Sequence, residues 1–352
     1  MPPLISIVID NYNYAAYLAQ SIDSALAQTY PLVEVIVVDD ASTDGSRQII
    51  ERYGHRVVSV LQPVNRGQGA AFNAGFLATR GDIIMFLDAD DWLYPQAAAR
   101  VAASWQPGQS KTHFRLDLVN ASGEHIDIHP APEVRLDQGD VVPFLLDFGR
   151  YETVVTSGNA FARAALEGNL PMPEEAFRIA ADGYLATVVP FHGPVVCIED
   201  CLGAYRVHGR NAFALTLSSD DVCARTRRFL AHDAHKDRAL KAKASAAGVR
   251  LCGTPQLKDP LHLELRLASL RLDPGGHPYR GDSRARLALR GILASRRARL
   301  SWLRRGVLAA WFLAVGFLPQ RAAAAAIHWK LQPSSRPAGI QRQMNRLRRL
   351  LN

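Results

Sequence analysis

The sequence predicts an α/β fold built on a mostly parallel sheet flanked by helices, with a basic helical extension at its C-terminal end. Three observations carry that expectation. Over the first hundred residues, short continuous apolar runs alternate with segments whose apolar residues recur at helical spacing. That is the pattern of βαβ units whose strands are covered on both faces. Three of the four apolar runs end in carboxylates, and such sheets bind ligands beyond the carboxyl ends of their strands. Charge is unevenly divided: residues 271–352 carry a net +15 and residues 1–270 a net −7.

The elements follow in order. Leu4 to Ile9 is an apolar strand that runs into the polar turn Asp10-Asn11-Tyr12-Asn13. Tyr14, Leu18, Ile22, Ala25 and Leu26 mark a helix over 14–28. Glu34 to Val38 is a second strand ending in Asp39-Asp40, and Ser42 or Thr43 is placed to cap the next helix, which carries Ile49 and Ile50. Residues 56–61 form a third strand and Gly67 to Thr79 a third helix. Ile83 to Leu87 is a fourth strand ending in Asp88-Ala89-Asp90-Asp91. Residues 114–119 and 125–128 flank the turn Asn120–Gly123 as a hairpin. A strand and helix are expected over 153–168, a helix over 176–190, a short strand over 194–199 and a charged helix over 222–250.

Composition excludes several classes. With 48% hydrophobic and 21% charged residues, the chain is not disordered, collagen-like or a coiled coil. Four cysteines in 352 residues exclude a disulfide-stapled scaffold. Cys197, Cys201, Cys223 and Cys252 lack zinc-site spacing and read as free thiols. His125, Asp127 and His129 share one face of a strand, which an exposed polar face explains. The N-terminus has no basic segment and too short an apolar run for a secretory signal, so a cytoplasmic location is expected.

The strand-end carboxylates are the main chemical clue. Clustered carboxylates repel one another and lose hydration unless a cation or hydrogen-bond donors meet them. Asp88 and Asp90 can turn two carboxylates onto one hard cation, Mn²⁺ or Mg²⁺, which favours oxygen ligands and leaves positions open for phosphate. Asp39-Asp40 suits hydrogen bonding to a base N–H or a ribose hydroxyl. Asp91 and Asp44 fit turns and caps. Gly67-Gln68-Gly69 before a helix is part of a dinucleotide fingerprint. Phe72 stands where its third glycine belongs, and the motif follows the third strand, which argues against a dehydrogenase.

Four segments together, Ser6–Asn13, Val38–Asp44, Asn65–Gly75 and Phe86–Asp91, resemble family 2 glycosyltransferases with the GT-A nucleotide-sugar fold. The resemblance is dense over residues 4–95 and thinner over 150–211. It implies that Asp10, Tyr12 and Asp39 line the pocket for the donor's base, commonly uracil, with Asp39 on the ring N–H and Asp88 facing the ribose. It implies Asp90 as the ligand of a divalent metal, Mn²⁺ or Mg²⁺, and places Arg66 near the nucleotide. Asp10 stands where the family often has Pro. The family's acidic pair before an aromatic residue corresponds to Ala181-Asp182-Gly183-Tyr184, which leaves Asp182 as the general base of an inverting transfer. Leu202 to Asn211 resembles the segment that closes over the donor. There His208 would complete the metal sphere or touch the diphosphate, and Arg206 and Arg210 would neutralise leaving-group charge.

On that resemblance, residues 1–105 form a nucleotide-sugar-binding half, 106–215 an acceptor-binding half and 216–352 a helical region, basic from about residue 271. The donor is expected to be UDP-linked and the acceptor a glycan or a lipid-linked intermediate. The Gln-x-x-Arg-Trp sequence of processive synthases is absent, which implies one sugar per encounter. A non-catalytic nucleotide or glycan binder on the same fold is the alternative, because Ala181 replaces a family Glu.

Gly306 to Leu318 is uncharged and mostly apolar, but a membrane span needs about 20 such residues. Arginines 296, 297, 299, 304 and 305 precede it. Ile340, Met344, Leu347 and Leu351 form a further apolar stripe among Arg342, Arg346, Arg348 and Arg349. Residues 281–352 therefore suit an anionic membrane surface, peripheral to its inner face, or a helical subdomain with a basic rim. Nucleic acid is not an expected partner, since no aromatic-interleaved basic patch occurs.

Overall fold

The computed structural model describes residues 2–209, 211, 221–251, 253–332 and 336. Arg210, Cys252 and the stripe Ile340, Met344, Leu347 and Leu351 lie outside the described residues. The chain divides into two compact units, one of residues 1–143 and 151–208, the other of 144–150 and 209–352.

In the first unit, β1 (Ile5–Asn11), α1 (Ala15–Leu26), β2 (Val33–Asp39), α2 (Ser46–Tyr53), β3 (Val58–Leu61), α3 (Gln68–Ala78) and β4 (Ile83–Asp88) follow the expected alternation. The chain continues through β5 (Trp92–Leu93), α4 (Ala97–Ser104), β6 (Lys111–Val119), β7 (His125–His129) and α5 (Val142–Phe148), which crosses the unit boundary. It then forms β8 (Asn159–Ala162), α6 (Arg163–Glu167), α7 (Asp182–Val188) and β9 (Val195–Arg206).

Among the described residues these strands make one nine-stranded sheet in the order β3-β2-β1-β4-β8-β6-β9-β5, with β7 paired to β6. Strands β1 to β4 are parallel to one another. β8 runs antiparallel to β4 and β6, and β9 is parallel to β6. Ile5, Ile7 and Ile9 of β1 are fully buried with Val35, Val37, Ile83, Met85 and Leu87 of its neighbours, so the continuous apolar runs are strands packed within the core. On the opposite face Phe72 of α3 stacks on Phe86 with ring centroids 4.0 Å apart. Gly75 permits that approach, because a Cβ there would come within 2.4 Å of Val8 Cγ1.

Several elements differ from the sequence expectation. α2 has no side-chain cap from Ser42 or Thr43; Asp44 Oδ1 instead accepts from the amide of Ser46 at 2.9 Å. The expected helix over 176–190 is confined to α7, because Ala180 adopts a left-handed conformation (φ 56°) that interrupts any helix before it. The expected short strand at 194–199 extends to Arg206 through an irregular register against β6. His125 and Asp127 lie on exposed β7 and belong to no metal-ligand cluster among the described residues.

In the second unit, α8 (Val222–Ala246), α9 (Pro260–Leu272), α10 (Arg284–Arg297), α11 (Trp302–Phe317) and α12 (Gln320–Leu331) surround a core that includes Leu230, Leu263, Leu267, Leu287, Phe312 and Ile327. Asp221, Asp259, Ser283 and Ser301 cap α8 to α11 with their side chains. Among the described residues, no helix is long and apolar enough to cross a membrane.

Candidate active site

Strand order places the site. The sheet grows from β1 toward β2 on one side and toward β4 on the other, and the crevice at such a switch point is where α/β sheets bind ligands. Parallel register sets Asp10 directly beside Asp88 and Asn11 beside Asp39 at the carboxyl ends. Beyond β4, Asp88, Asp90 and Asp91 each offer a carboxylate oxygen, and these oxygens lie within 4.8 Å of one another. Asp91 is therefore no simple turn former; it is buried within the cluster.

Electrostatics reflect the crowding. Burial, with the charge of Asp90, pushes the Asp10 carboxyl up to about 7, although Gln68 opposes the shift. Burial raises Asp88 well above the ordinary carboxylate range, and the charges of Asp10, Asp91, Asp90 and Asp182 add to it. Asp91 is raised by burial and by Asp90. Asp10 Oδ1 is buried with no hydrogen-bond partner among the described residues. Oxygen donors that repel one another, one of them unsatisfied, fit a hard divalent cation.

Neighbouring side chains brace the cluster. Ser157 Oγ donates to Asp91 Oδ2 at 2.5 Å and accepts from the amide of Asp88 at 3.2 Å. His208 Nε2 meets Asp90 Oδ2 at 2.8 Å, its ring stacked on Tyr17 with centroids 5.2 Å apart. Gln68, the first residue of α3, joins the two sides of the site. Its Nε2 donates to Asp88 Oδ1 at 2.8 Å and to Asp10 Oδ2 at 3.2 Å. Its Oε1 accepts from the amide of Ala181 at 3.0 Å, immediately before Asp182 opens α7.

The segment before α7 is stitched to the start of α3. The amides of Gln68 and Gly69 donate to the carbonyls of Arg178 and Phe177 at 2.9 and 3.0 Å. Asn73 exchanges hydrogen bonds with the backbone of Met172 at 3.0 and 2.8 Å. Gly67 has φ +88°, and a Cβ there would come within 2.3 Å of Arg178 Cγ, so only glycine admits this contact. Asn13, Ala41 and Ala180 are the non-glycine residues with positive φ among those described. Each borders a segment that carries site residues, where such strain tends to be retained.

Other residues singled out from the sequence fall as follows. Tyr12 is 43% exposed directly after β1, its ring open to a ligand. The Arg66 guanidinium pairs with Glu174 and is more than half exposed, and its amide donates to Asp40 Oδ1 at 2.9 Å. Asp182 is half-buried in the first turn of α7.

Two residues expected near the nucleotide have well-defined protein partners. Asp39 is buried and hydrogen-bonded at the end of β2. Its Oδ1 accepts from Asn11 Nδ2 at 2.9 Å, and its Oδ2 from the Ser42 amide at 3.0 Å and Arg47 Nε at 2.9 Å. It ties β1, β2 and α2 together. Arg206, at the end of β9, is the second. Its guanidinium lies over the rings of Tyr17 and Trp92 and donates to the carbonyls of Asp90 and Ala121 at 2.9 Å each and to Gln20 Oε1 at 2.6 Å. Its amide donates to Asp91 Oδ1 at 2.8 Å. These bonds brace the acidic turn at Asp90 and Asp91.

Sequence reasoning missed Gln68 and Ser157. Gln68 lay inside a motif tested only for its glycines, and Ser157 meets the cluster from a segment with no motif of its own.

A mixed sheet of this order with an acidic cluster at its switch point defines the GT-A class of glycosyltransferase fold. The glycosyl transferase family 2 model matches residues 6–112, and that segment belongs to the family. It is 36% identical over 212 residues to an uncharacterized glycosyltransferase of Nostoc sp., covering 59% of this chain and 66% of that protein. It is 44% identical over 93 residues to an uncharacterized glycosyltransferase of Rickettsia prowazekii, covering 26% of this chain. The matches thus span 66% and 29% of those relatives' lengths. The crystal structure of S. aureus TarS 1–349 in complex with UDP-GlcNAc superposes with a TM-score of 0.52 at 17% identity, covering 93% of this chain and 91% of that one. The same segment in complex with UDP gives a TM-score of 0.50 at 16% identity.

Proposed function

We propose that the protein is an inverting glycosyltransferase that moves one sugar from a nucleotide-diphospho-sugar to a hydroxyl of a glycan or lipid-linked acceptor. The observation that carries this reading is the convergence of Asp88, Asp90 and Asp91 beside Asp10 at the switch point of the sheet. Asp88, Asp90 and Asp91, with His208 beside them, would hold Mn²⁺ or Mg²⁺. Bound there, the cation would offset the negative charge that develops on the leaving diphosphate.

The protein's own groups do the rest. Tyr12 offers a stacking face to the donor's base, and Asp10 and Asp88 are at hand for its hydroxyls or N–H groups. Asp182 takes the proton from the attacking acceptor hydroxyl, and the sugar transfers in a single displacement with inversion. Gln68 is a positioning residue, because one side chain holds Asp10, Asp88 and the amide that precedes the base. UDP is favoured as the donor nucleotide by the fold shared with TarS, which binds UDP-GlcNAc. Residues 1–105 and 106–215 serve the donor and acceptor, and the basic region suits a peripheral position at the inner face of the membrane.

The test is release of nucleoside diphosphate from a panel of UDP- and GDP-sugars with Mn²⁺, with Mg²⁺ and with EDTA. Turnover that needs a divalent cation, fails in Asp182→Asn and gives product of inverted anomeric configuration supports the reading. Turnover at an undiminished rate in Asp182→Asn removes Asp182 as the base. Nucleotide binding without any turnover would leave a binding protein on this fold.

A further inference from the structure

α11 is apolar on two sides. Its inward stripe, Leu308, Phe312 and Val315, is buried in the core of the second unit. Its outward stripe, Leu303, Val307, Leu313 and Phe317, recurs at spacings of four, six and four residues along the same helix and is exposed by 40 to 57%. A helix that is apolar all round is ordinarily covered. Leu289 and Leu293 of α10 are exposed in the same way, and Trp302, at the start of α11, is 78% exposed. A group of exposed large apolar side chains of this size marks a surface that meets something.

Charge selects what covers it. From Arg284 to Leu331 there are ten Arg and Lys residues and no Asp or Glu. Arg286, Arg290, Arg296, Arg297 and Arg305 are exposed on α10 and at the start of α11. A second copy of the same face would set like charge against like. A nucleic acid would match the arginines but leave the leucine, valine and phenylalanine stripe without an apolar partner. An anionic bilayer surface satisfies both, since acyl chains take the apolar side chains, lipid phosphates take the guanidiniums and Trp settles at the boundary.

We infer that the outward face of α10 and α11 binds an anionic lipid surface, lying in its interface rather than crossing it. This inference stands independently of the catalytic reading, because it rests on no residue of the acidic site. The full chain is mixed with vesicles of phosphatidylcholine alone and with vesicles rich in phosphatidylglycerol, and bound protein is separated by flotation. Each basic side chain near such a surface contributes appreciably, so at least about tenfold more protein on the anionic vesicles is expected, falling with added salt. Tryptophan emission shifts to the blue on binding, and Trp302→Phe removes most of that shift.

The double variant Leu313→Glu/Phe317→Glu alters side chains already in solvent, so its melting temperature stays near that of the parent while vesicle binding falls at least about tenfold. Trp302→Ser serves as a second, smaller lesion with the same direction. Equal binding to neutral and anionic vesicles, or undiminished binding by the double variant, overturns the inference. So does self-association that the double variant abolishes in a protein that ignores vesicles, which assigns the face to a second copy. Preferential capture by duplex DNA at the same salt assigns it to nucleic acid and overturns it equally.

Discussion

Replacing Gln68 by Met tests whether one side chain ties the acidic cluster to the base. Met has nearly the same length and no strong donor or acceptor. The change removes the donations to Asp88 at 2.8 Å and Asp10 at 3.2 Å and the acceptor for the Ala181 amide at 3.0 Å. A hydrogen bond to a charged group is worth about 1.5–3 kcal/mol. At about 1.4 kcal/mol per decade, loss of one such bond from the reacting geometry lowers kcat about 10- to 150-fold. Donor KM should rise by a smaller factor, because Asp10 and Asp88 lose their brace while the Tyr12 face is untouched.

The assay is initial-rate release of nucleoside diphosphate at saturating donor, with thermal melting in parallel. Gln68→Glu keeps an acceptor for Ala181 but sets a third carboxylate against Asp10 and Asp88. At about 3 Å and an effective dielectric near 20 such a like-charge contact costs roughly 5 kcal/mol. The Glu variant should therefore lose more activity than the Met variant at alkaline pH and recover toward it as the pH falls and the new carboxyl protonates. A Met variant within about threefold of the parent in kcat, or a loss that only follows a fall in melting temperature, refutes the positioning role.

Further predictions concern groups outside the nucleotide wall. Arg206→Met leaves the Asp90 and Ala121 carbonyls and Gln20 without their donor. Only Asp90 among these partners is a buried residue, so at about 1–3 kcal/mol for a buried group left unpaired the change should destabilise the fold by about 1–3 kcal/mol in chemical denaturation, with donor KM in the surviving folded fraction little changed. Burial holds the Lys111 ammonium pKa down at about 7. Between pH 7 and the ordinary lysine range the unfolded chain then binds more protons than the folded one, so this residue makes stability rise with pH across that window. Lys111→Met should flatten that rise and be neutral or stabilising at pH 7, read from denaturation midpoints across the pH range. Ala180→Gly relieves a left-handed alanine at φ 56° and should raise the melting temperature slightly, a gain capped at about 1–2 kcal/mol, while a lower kcat would show that the strain helps hold Asp182.

The parallel half of the fold was legible because strands buried on both faces must be largely apolar runs, as β1, β2 and β4 are, with β3 the exposed edge strand beside them. The later half was less so. Ala97–Ser104 is a helix of eight residues whose buried face is Ala97, Ala98 and Val101, small side chains that stand out little in the sequence. β9 passes through Glu199 and Asp200, which hide a strand whose register against β6 shifts on the way. Asp88 and Asp90 stood out because their carboxylates close a buried strand. The bonds of Arg206 to Gln20 and Ala121 could not be read from its linear motif, because those partners lie far away in sequence and tertiary packing brings them together. Gln68 and Ser157 were invisible for the same reason: their partners come from other parts of the chain.

Whether Asp88, Asp90 and Asp91 hold a divalent cation that secures a nucleoside diphosphate is read by thermal melting with UDP in the presence of Mn²⁺ or EDTA, for the parent and for Asp90→Ala. A ligand that binds the native state raises the melting temperature by mass action. A cation held by these carboxylates gives a rise with UDP and Mn²⁺ together that disappears with EDTA and in Asp90→Ala. A UDP-induced rise of the same size in EDTA, or in Asp90→Ala, would contradict that role.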